Sequence, residues 1–241
     1  MGSELRLRLL ELFRQPSFVV TTLIFPSMFL WFLALPNVKT SAAAQMLMGS
    51  FAAFAILSVM VFQFSVYVAQ ERSSPWSLFL RTLPRPGWQS LLVLVASGLV
   101  FAIGAVILVF FTTHVSVSVE LPPERWFRLV LSLFVGGLPF AGMGLWLGLV
   151  CTPRNVVPVA NLVYLPLSFA GGLWIPPQSL PPLVQDLSDY LPTRLYAEIV
   201  WAAVRGESPR ARDLGVLAIF FLLFAFLAWF FYRRDEGAKF S

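Results

Sequence analysis

The side chains that most often perform chemistry in proteins are rare in this chain. Its 241 residues include one cysteine, Cys151, and one histidine, His114. An internal disulfide is therefore impossible, and a metal site with several ligands is not expected. A catalytic serine would need a base beside it, but His114 lies at the end of an apolar stretch, next to Thr112 and Thr113. An intramembrane hydrolase is thus a poor match, and we expect Cys151 to be a small buried apolar residue.

Six apolar stretches must position these few polar groups, and each is close to the ~20 residues that cross a hydrocarbon core. They are residues 17–35, 47–69, 90–112, 128–151, 157–174 and 214–232. Hydrophobic residues make up 58% of the chain and its mean hydropathy is +0.80, against about 45 to 50% apolar residues in soluble domains. We expect an all-α polytopic membrane protein with six transmembrane helices, folded as one transmembrane domain over 1–241.

The energy source for any transport is expected to lie on another protein. Apart from Arg128 at one edge, no Asp, Glu, Lys, Arg or His lies in the six stretches, whereas proton- or sodium-coupled transporters need such groups near the bilayer midplane. The sequence also lacks the G-x-x-x-x-G-K-[ST] loop that cradles ATP phosphates. The chain is therefore not expected to be an enzyme or to bind a cofactor directly. ATP and Mg are expected on a separate ATPase.

The distribution of basic residues predicts the orientation. With six spans, the side that holds both termini carries ten basic and five acidic residues, and the opposite side carries seven of each. The positive-inside rule then places both termini in the cytoplasm of a cell inner membrane protein. The net charge of +5 reflects this topology, because the arginines flank apolar runs instead of forming a stripe that could bind nucleic acid.

The residues before the first apolar stretch have the pattern of an interfacial helix over 1–16. Ser3 is placed to cap it, and Leu5, Leu9 and Leu12 recur at helical spacing among arginines. Such a helix lies on a membrane surface in contact with lipids. An ordinary cytoplasmic lead-in is an equally good interpretation, because other leucines fall off the stripe.

A second amphipathic helix is predicted in the cytoplasmic loop 70–89. Ser74 is placed as its N-cap, Pro75 as its first residue and Pro84 as its end. One face would carry Trp76, Phe79, Leu80 and Leu83. This helix suits docking either to a membrane surface or to a groove on a partner.

An apolar segment with several prolines, 175–212, precedes the last stretch on the opposite side. The spacing predicts one helix that ends near Leu191, and a second helix that Thr193 caps and that ends near Arg205. Broken helices at membrane depth need protein or a cavity around them. We interpret the segment as a re-entrant hairpin that closes the outer end of a pathway, with a peripheral packed lid as the alternative. The gate candidates are Gly172, Pro176, Pro181, Pro192 and Arg205.

Two further sets of residues lie within the apolar stretches. A row of small residues could let another helix approach closely, or it could be incidental; it comprises Gly137, Ala141, Gly144 and Gly148. Sparse polar residues could line a substrate pathway, although pairing between helices is the commoner role of such groups; they are Thr21, Thr22, Gln63, Ser65 and Asn161.

These segments, in this order, resemble the ABC type-2 permeases, the membrane subunits of ATP-binding cassette exporters for drugs, lipids and polysaccharides. The resemblance rests on the N-terminal helix, the Glu71-Arg72 pair that opens a loop ending at Leu83-Pro84, the glycine-rich fourth stretch and the proline pattern after Gly172. The family's Gly-Thr pair after Glu-Arg is replaced by Ser73-Ser74-Pro75.

The resemblance implies a coupling role for the loop 70–89. Coupling to the ATPase would fall to Glu71, Arg72, Trp76, Phe79 and Leu83. It also implies a cytoplasmic ATP-binding cassette ATPase as partner, a second permease copy, and outward movement of an amphiphile by alternating access. A membrane scaffold that transports nothing remains the alternative.

Overall fold

The computed structural model describes residues 2–38, 40–74, 88–117 and 119–239. In chain order the α-helices are α1 (Gly2–Phe13), α2 (Pro16–Val19), α3 (Phe25–Phe29), α4 (Ser41–Ser73), α5 (Trp88–Ser116), α6 (Pro123–Val150), α7 (Val156–Ala170), α8 (Pro182–Ser188), α9 (Pro192–Arg205) and α10 (Ala211–Lys239). The predicted all-α class is confirmed for the described part of the chain, where no strand occurs.

Four of the described helices, α4, α5, α6 and α10, are long and apolar enough to cross a membrane. They coincide with the second, third, fourth and sixth predicted stretches. The first and fifth stretches hold shorter apolar helices instead. Helix α7 has only 15 residues, and residues 16–37 alternate between α-helical, π-helical and 3₁₀ turns.

The irregular segment 16–37 nevertheless runs antiparallel along α4. The ring of Phe25 lies 6.1 Å from that of Phe54, and the ring of Phe29 lies 5.9 Å from that of Phe51. The residue numbers rise along the segment and fall along α4, so the two run in opposite directions. Aromatic contacts at this spacing favour tilted and edge-on packing, so the segment is held by side-chain packing although its backbone leaves the regular α-helical pattern.

Helix α4 lies at the centre of the bundle, and α10 lies at its edge. All residues from Met48 to Ser65 are buried. This agrees with the sequence of α4, which is apolar on every face, as is typical of a helix that is buried on all sides. By contrast, only 11% of the most apolar 18-residue stretch of α10 is buried. In a membrane protein the exposed large side chains of α10, such as Leu222 and Phe226, are suited to contact lipid.

Close contact between α4 and α6 depends on glycines. A Cβ atom added at Gly144 would lie 2.6 Å from the carbonyl oxygen of Met60, and one added at Gly148 would lie 2.6 Å from that of Ser65. Neighbouring backbone cannot move away as a flexible side chain would. At these two positions the absence of a side chain therefore sets the distance between the helices.

One end of the bundle gathers both ends of the chain, and we call it the termini end. There the Arg8 guanidinium lies 4.6 Å from the ring centroid of Tyr67, and Arg72 forms an ion pair with Asp235 on α10. Cys151, predicted to be a small buried apolar residue, is 8% exposed and packs with Ala69 and Val156 nearby. That prediction is confirmed.

The other end, which we call the hairpin end, is formed where α9 meets the start of α6. Arg128 on α6 donates a hydrogen bond of 3.2 Å to the carbonyl oxygen of Gly206. Gly206 has φ of +79°, the left-handed conformation that often ends a helix. The predicted end of this helix near Arg205 is thus confirmed.

Helix α9 reaches from the hairpin end towards the middle of α6. The Tyr196 hydroxyl donates a 2.7 Å hydrogen bond to the carbonyl oxygen of Leu133, and its ring lies over Gly136, where a Cβ atom would come within 2.5 Å. The predicted cap of α9 is wrong. Leu191 occupies the N-cap position with Pro192 next to it, and the Thr193 hydroxyl instead donates to the carbonyl oxygen of Leu167 at 2.6 Å.

Candidate functional site

Arg72 joins three helices at the termini end. It lies in the last turn of α4 and donates hydrogen bonds to the carbonyl oxygens of Gly148, at 3.2 Å, and Leu149. Its Nε also donates to Asp235 Oδ1 at 3.1 Å. The last carbonyls of a helix have no partner within the helix. Arg72 therefore closes the end of α6 and binds α10 with a single side chain.

The other predicted coupling residues follow this junction. Glu71 precedes Arg72 in the same turn and is partly buried. Trp76, Phe79 and Leu83 lie outside the described residues. The structure thus fixes where the predicted loop begins, beside the Arg72 junction, and the assignment of coupling to these residues stays a prediction.

Helix α1 packs against α5 at the termini end, where the Phe13 ring lies 4.8 Å from that of Phe101, and its Arg8 reaches Tyr67 on α4. Leu12 is 4% exposed, and Leu5 and Leu9 are partly buried. Leu7 and Leu10, which fall off the predicted stripe, are exposed. The stripe therefore faces the bundle, and the opposite face of α1 leaves apolar side chains available for a membrane surface.

The predicted pathway residues are dispersed among different contacts. Gln63 on α4 donates a 2.9 Å hydrogen bond from its amide to Ser97 Oγ on α5. Thr22 and Ser65 are buried and bond to carbonyl oxygens one turn earlier in their own segments. Asn161 is partly buried on α7, and of Thr21 the structure describes only the backbone, in a π-helical turn.

The structure does bring predicted gate residues together around a cavity of about 650 Å³ at the hairpin end. We call it the hairpin-end cavity. Gly172, Pro176 and Arg205 line it. Gly172 has φ of +77°, a conformation that glycine adopts without strain and that turns the chain after α7. The other two gate candidates lie elsewhere: Pro181 precedes α8 and Pro192 is buried at the start of α9.

Sequence reasoning named Arg205 but missed the Arg194–Glu198 pair, which also faces this cavity. Arg194 lines it together with Glu198, to which it is paired at 2.7 Å, and both side chains are largely buried, at 14% and 20% exposure. Arg194 also lies 5.2 Å from the ring centroid of Trp201. The signal was an Arg and a Glu four residues apart in a segment otherwise rich in apolar residues.

Trp201 anchors this wall of the cavity to α4. Its indole Nε1 donates a 2.7 Å hydrogen bond to Ser50 Oγ. A second, smaller space of about 340 Å³ shares Arg194, Glu198 and Arg210 with this cavity and is also lined by Asp189 and Asp213.

Within the described residues no group of three or more potential metal ligands occurs. An all-helical bundle with several helices long enough to cross a membrane defines a multi-pass membrane protein. The ABC-2 type transporter family matches residues 5–204, and the chain belongs to this family. It is thus a membrane permease of the kind that works with an ATP-binding cassette subunit.

A curated relative agrees with the family. The chain is 27% identical over 229 residues to a Bacillus subtilis (strain 168) protein named "Putative transport permease YvfS", covering 93% of each chain. No solved structure matches.

Proposed function

We propose that this chain is the membrane-spanning subunit of an ATP-driven exporter that moves an amphiphile, such as a drug, lipid or lipid-linked glycan, across the cell inner membrane. A separate ATPase binds ATP and Mg and does the hydrolysis. The observation that carries this proposal is the family match together with spans that hold no titratable group able to carry ions through the bilayer.

The proposed topology has six crossings and both termini in the cytoplasm. Its support is geometric: residues 16–37 run along α4 through the pairs Phe25–Phe54 and Phe29–Phe51, and α7 begins beside the last buried turns of α4. These contacts support a crossing by residues 16–37 and another by α7, although the regular helix in each is short. The segment 175–212 would be re-entrant, since Tyr196 reaches Leu133 well inside α6.

In the proposed mechanism, two copies of the chain enclose a central cavity, and the loop 70–89 docks on one ATPase subunit per copy. Movement of the loop would reach the bundle through Arg72, whose bonds to Gly148 and Asp235 tie α4, α6 and α10 together. Closure of the ATPase would then tilt these helices as a unit and open the hairpin end, which is alternating access.

The test replaces Trp76 and Phe79 by Ala in the chain co-expressed with its ATPase. We expect membrane insertion to persist and coupled ATP hydrolysis and transport to be lost, because an amphipathic helix docks through its large apolar side chains. The matched control is Trp229→Ala with Phe230→Ala, a Trp and a Phe that are 54% and 48% exposed on α10.

Three outcomes would contradict the proposal. Normal coupling in the Trp76/Phe79 double variant would remove the docking role of the loop. Uphill flux by the purified chain alone, driven by a pH or sodium gradient, would remove the dependence on an ATPase. If the complex assembles but never transports under ATP, the scaffold alternative is correct.

A further inference from the structure

The hairpin-end cavity has two walls of different chemistry. One wall is apolar and is formed by the end of segment 16–37 and the start of α4, with Ala34, Met46 and Leu47. The other wall carries the guanidinium groups of Arg194 and Arg210. A volume of about 650 Å³ falls within the range of small-molecule sites, roughly 300 to 1,000 Å³. A space of this shape suits a molecule with one charged and one apolar part.

Donor groups on this cavity lack acceptors. The Nη1 atom of Arg194 and the indole Nε1 of Trp174 are buried and have no hydrogen-bond partner among the described residues. Arg194 Nε also lacks a hydrogen bond, but it lies 3.9 Å from Asp189 Oδ1. Both residues line the cavity. Buried polar groups in native proteins are nearly always paired, so the two donors without any partner, on residues that line one space, indicate that an acceptor is missing.

The charge of the cavity also favours an anion. Arg194, Arg205 and Arg210 face it, against the single carboxylate of Glu198. Arg194 is paired with Glu198 and also lies 3.9 Å from the Asp189 carboxylate, and Arg205 is paired with Glu207 outside the cavity. Arg210 lines the cavity and forms no ion pair with any residue that the structure describes, so it is the positive charge on this wall that no carboxylate matches.

We propose that the hairpin-end cavity is a binding site for an amphiphile with an anionic oxygen headgroup, a phosphate or a carboxylate. The headgroup would accept hydrogen bonds from Arg194, with Arg210 contributing charge, and the chain would lie along Met46 and Leu47. Guanidinium groups bind such oxygens through short charge-assisted hydrogen bonds. The inference goes beyond the proposed function, because the cavity lies within one chain and binding needs no ATPase.

The experiment measures binding to the purified chain in dodecyl maltoside by isothermal titration calorimetry. The probes are dodecyl phosphate, dodecyltrimethylammonium, which has the same chain and the opposite charge, and inorganic phosphate, which has no chain. We expect saturable binding of one dodecyl phosphate per chain, no saturable binding of the cation, and inorganic phosphate at least about tenfold weaker because it loses the apolar contact.

The first variant is Arg194→Gln with Glu198→Gln, which removes both charges of the pair so that no buried carboxylate is left alone. This double variant should lower the affinity for dodecyl phosphate at least about tenfold, as expected when charge-assisted hydrogen bonds are lost. The matched control, Arg125→Gln, removes one positive charge at the same end from a residue that lines neither space and should leave affinity within about twofold.

A second variant keeps the arginines and fills the cavity. Ala43 lines it from the exposed first turn of α4, so Ala43→Trp should abolish binding without disturbing the buried pair. Equal binding of the cationic and anionic probes, or unchanged affinity in both the charge variant and Ala43→Trp, would overturn the site. If inorganic phosphate binds as tightly as dodecyl phosphate, the proposal that the ligand is an amphiphile is wrong, and the cavity is a site for free anions.

Discussion

Replacement of Gly144 by Ala tests whether the contact between α4 and α6 holds the bundle together. The added Cβ would lie 2.6 Å from Met60 O and 3.0 Å from both Val61 O and Phe64 Cβ, whereas ordinary Cβ contacts begin near 3.4 Å. The helices must therefore separate locally by several tenths of an ångström. Two of the three neighbours are carbonyl oxygens of the backbone, so rotation of a side chain cannot relieve the overlap.

The magnitude follows from two opposing effects. Overpacking in a close-packed interior costs about 1 to 3 kcal/mol, and the change from Gly to Ala in a helix returns up to about 1 kcal/mol. We expect Gly144→Ala to lose about 1 to 2 kcal/mol, and Gly148→Ala to lose a similar amount. The double variant should lose less than the sum, because one separation of the helices relieves both overlaps.

The assay is unfolding of the purified chain by SDS titration in mixed micelles, followed by tryptophan fluorescence. The matched control is Gly215→Ala on α10, where a Cβ atom meets nothing within 4 Å; it should be neutral or stabilising by up to about 1 kcal/mol. Gly144→Lys should fail to assemble, because it places a charge where there is neither space nor water. If Gly144→Ala proves as stable as Gly215→Ala, the reasoning about the contact is wrong.

Two further substitutions separate structural from functional roles. Gln63→Leu removes the hydrogen bond to Ser97, a loss of about 1 kcal/mol or less in a membrane interior, and should leave transport intact; a collapse of transport at normal stability would instead make Gln63 a substrate contact. Tyr196→Phe removes the bond to Leu133 and should lower the free energy of unfolding by about 0.5 to 1.5 kcal/mol in the SDS titration, and an unchanged value would show that the hydroxyl does not hold α9.

The regular helices could be predicted because hydropathy reports them directly. Long uninterrupted apolar runs produced α4, α5, α6 and α10 close to the expected positions. The first stretch was harder to predict in detail, since its backbone alternates between α, π and 3₁₀ turns, and periodicity does not distinguish these. The end of α9 at Gly206 could be predicted because glycine readily adopts the left-handed conformation that ends a helix. Its start could not be predicted, because Thr193 bonds to α7 instead of its own helix.

The charged wall of the cavity could not be predicted for a different reason. Arg194 and Arg210 lie on either side of the turn that contains Gly206, and the sequence does not show that they face one space with Trp174. Their meeting depends on how far α9 reaches into the bundle, which the Tyr196 contact over Gly136 decides. Tertiary packing of this kind carries no local sequence signal, whereas each arginine alone reads as an ordinary residue at the edge of a membrane.

Helix α4 connects the two ends of the molecule. Ser50, which holds Trp201 at the cavity, and Arg72, at the termini end, lie 22 residues apart on one helix, or about 33 Å at 1.5 Å per residue. If α4 moves as a rigid body, dodecyl phosphate should change the rate of ATP hydrolysis by the complex. Arg72→Gln, which leaves Asp235 without this partner, should remove that response while binding to the purified chain is unaffected. A response that survives Arg72→Gln would show that the signal bypasses this junction.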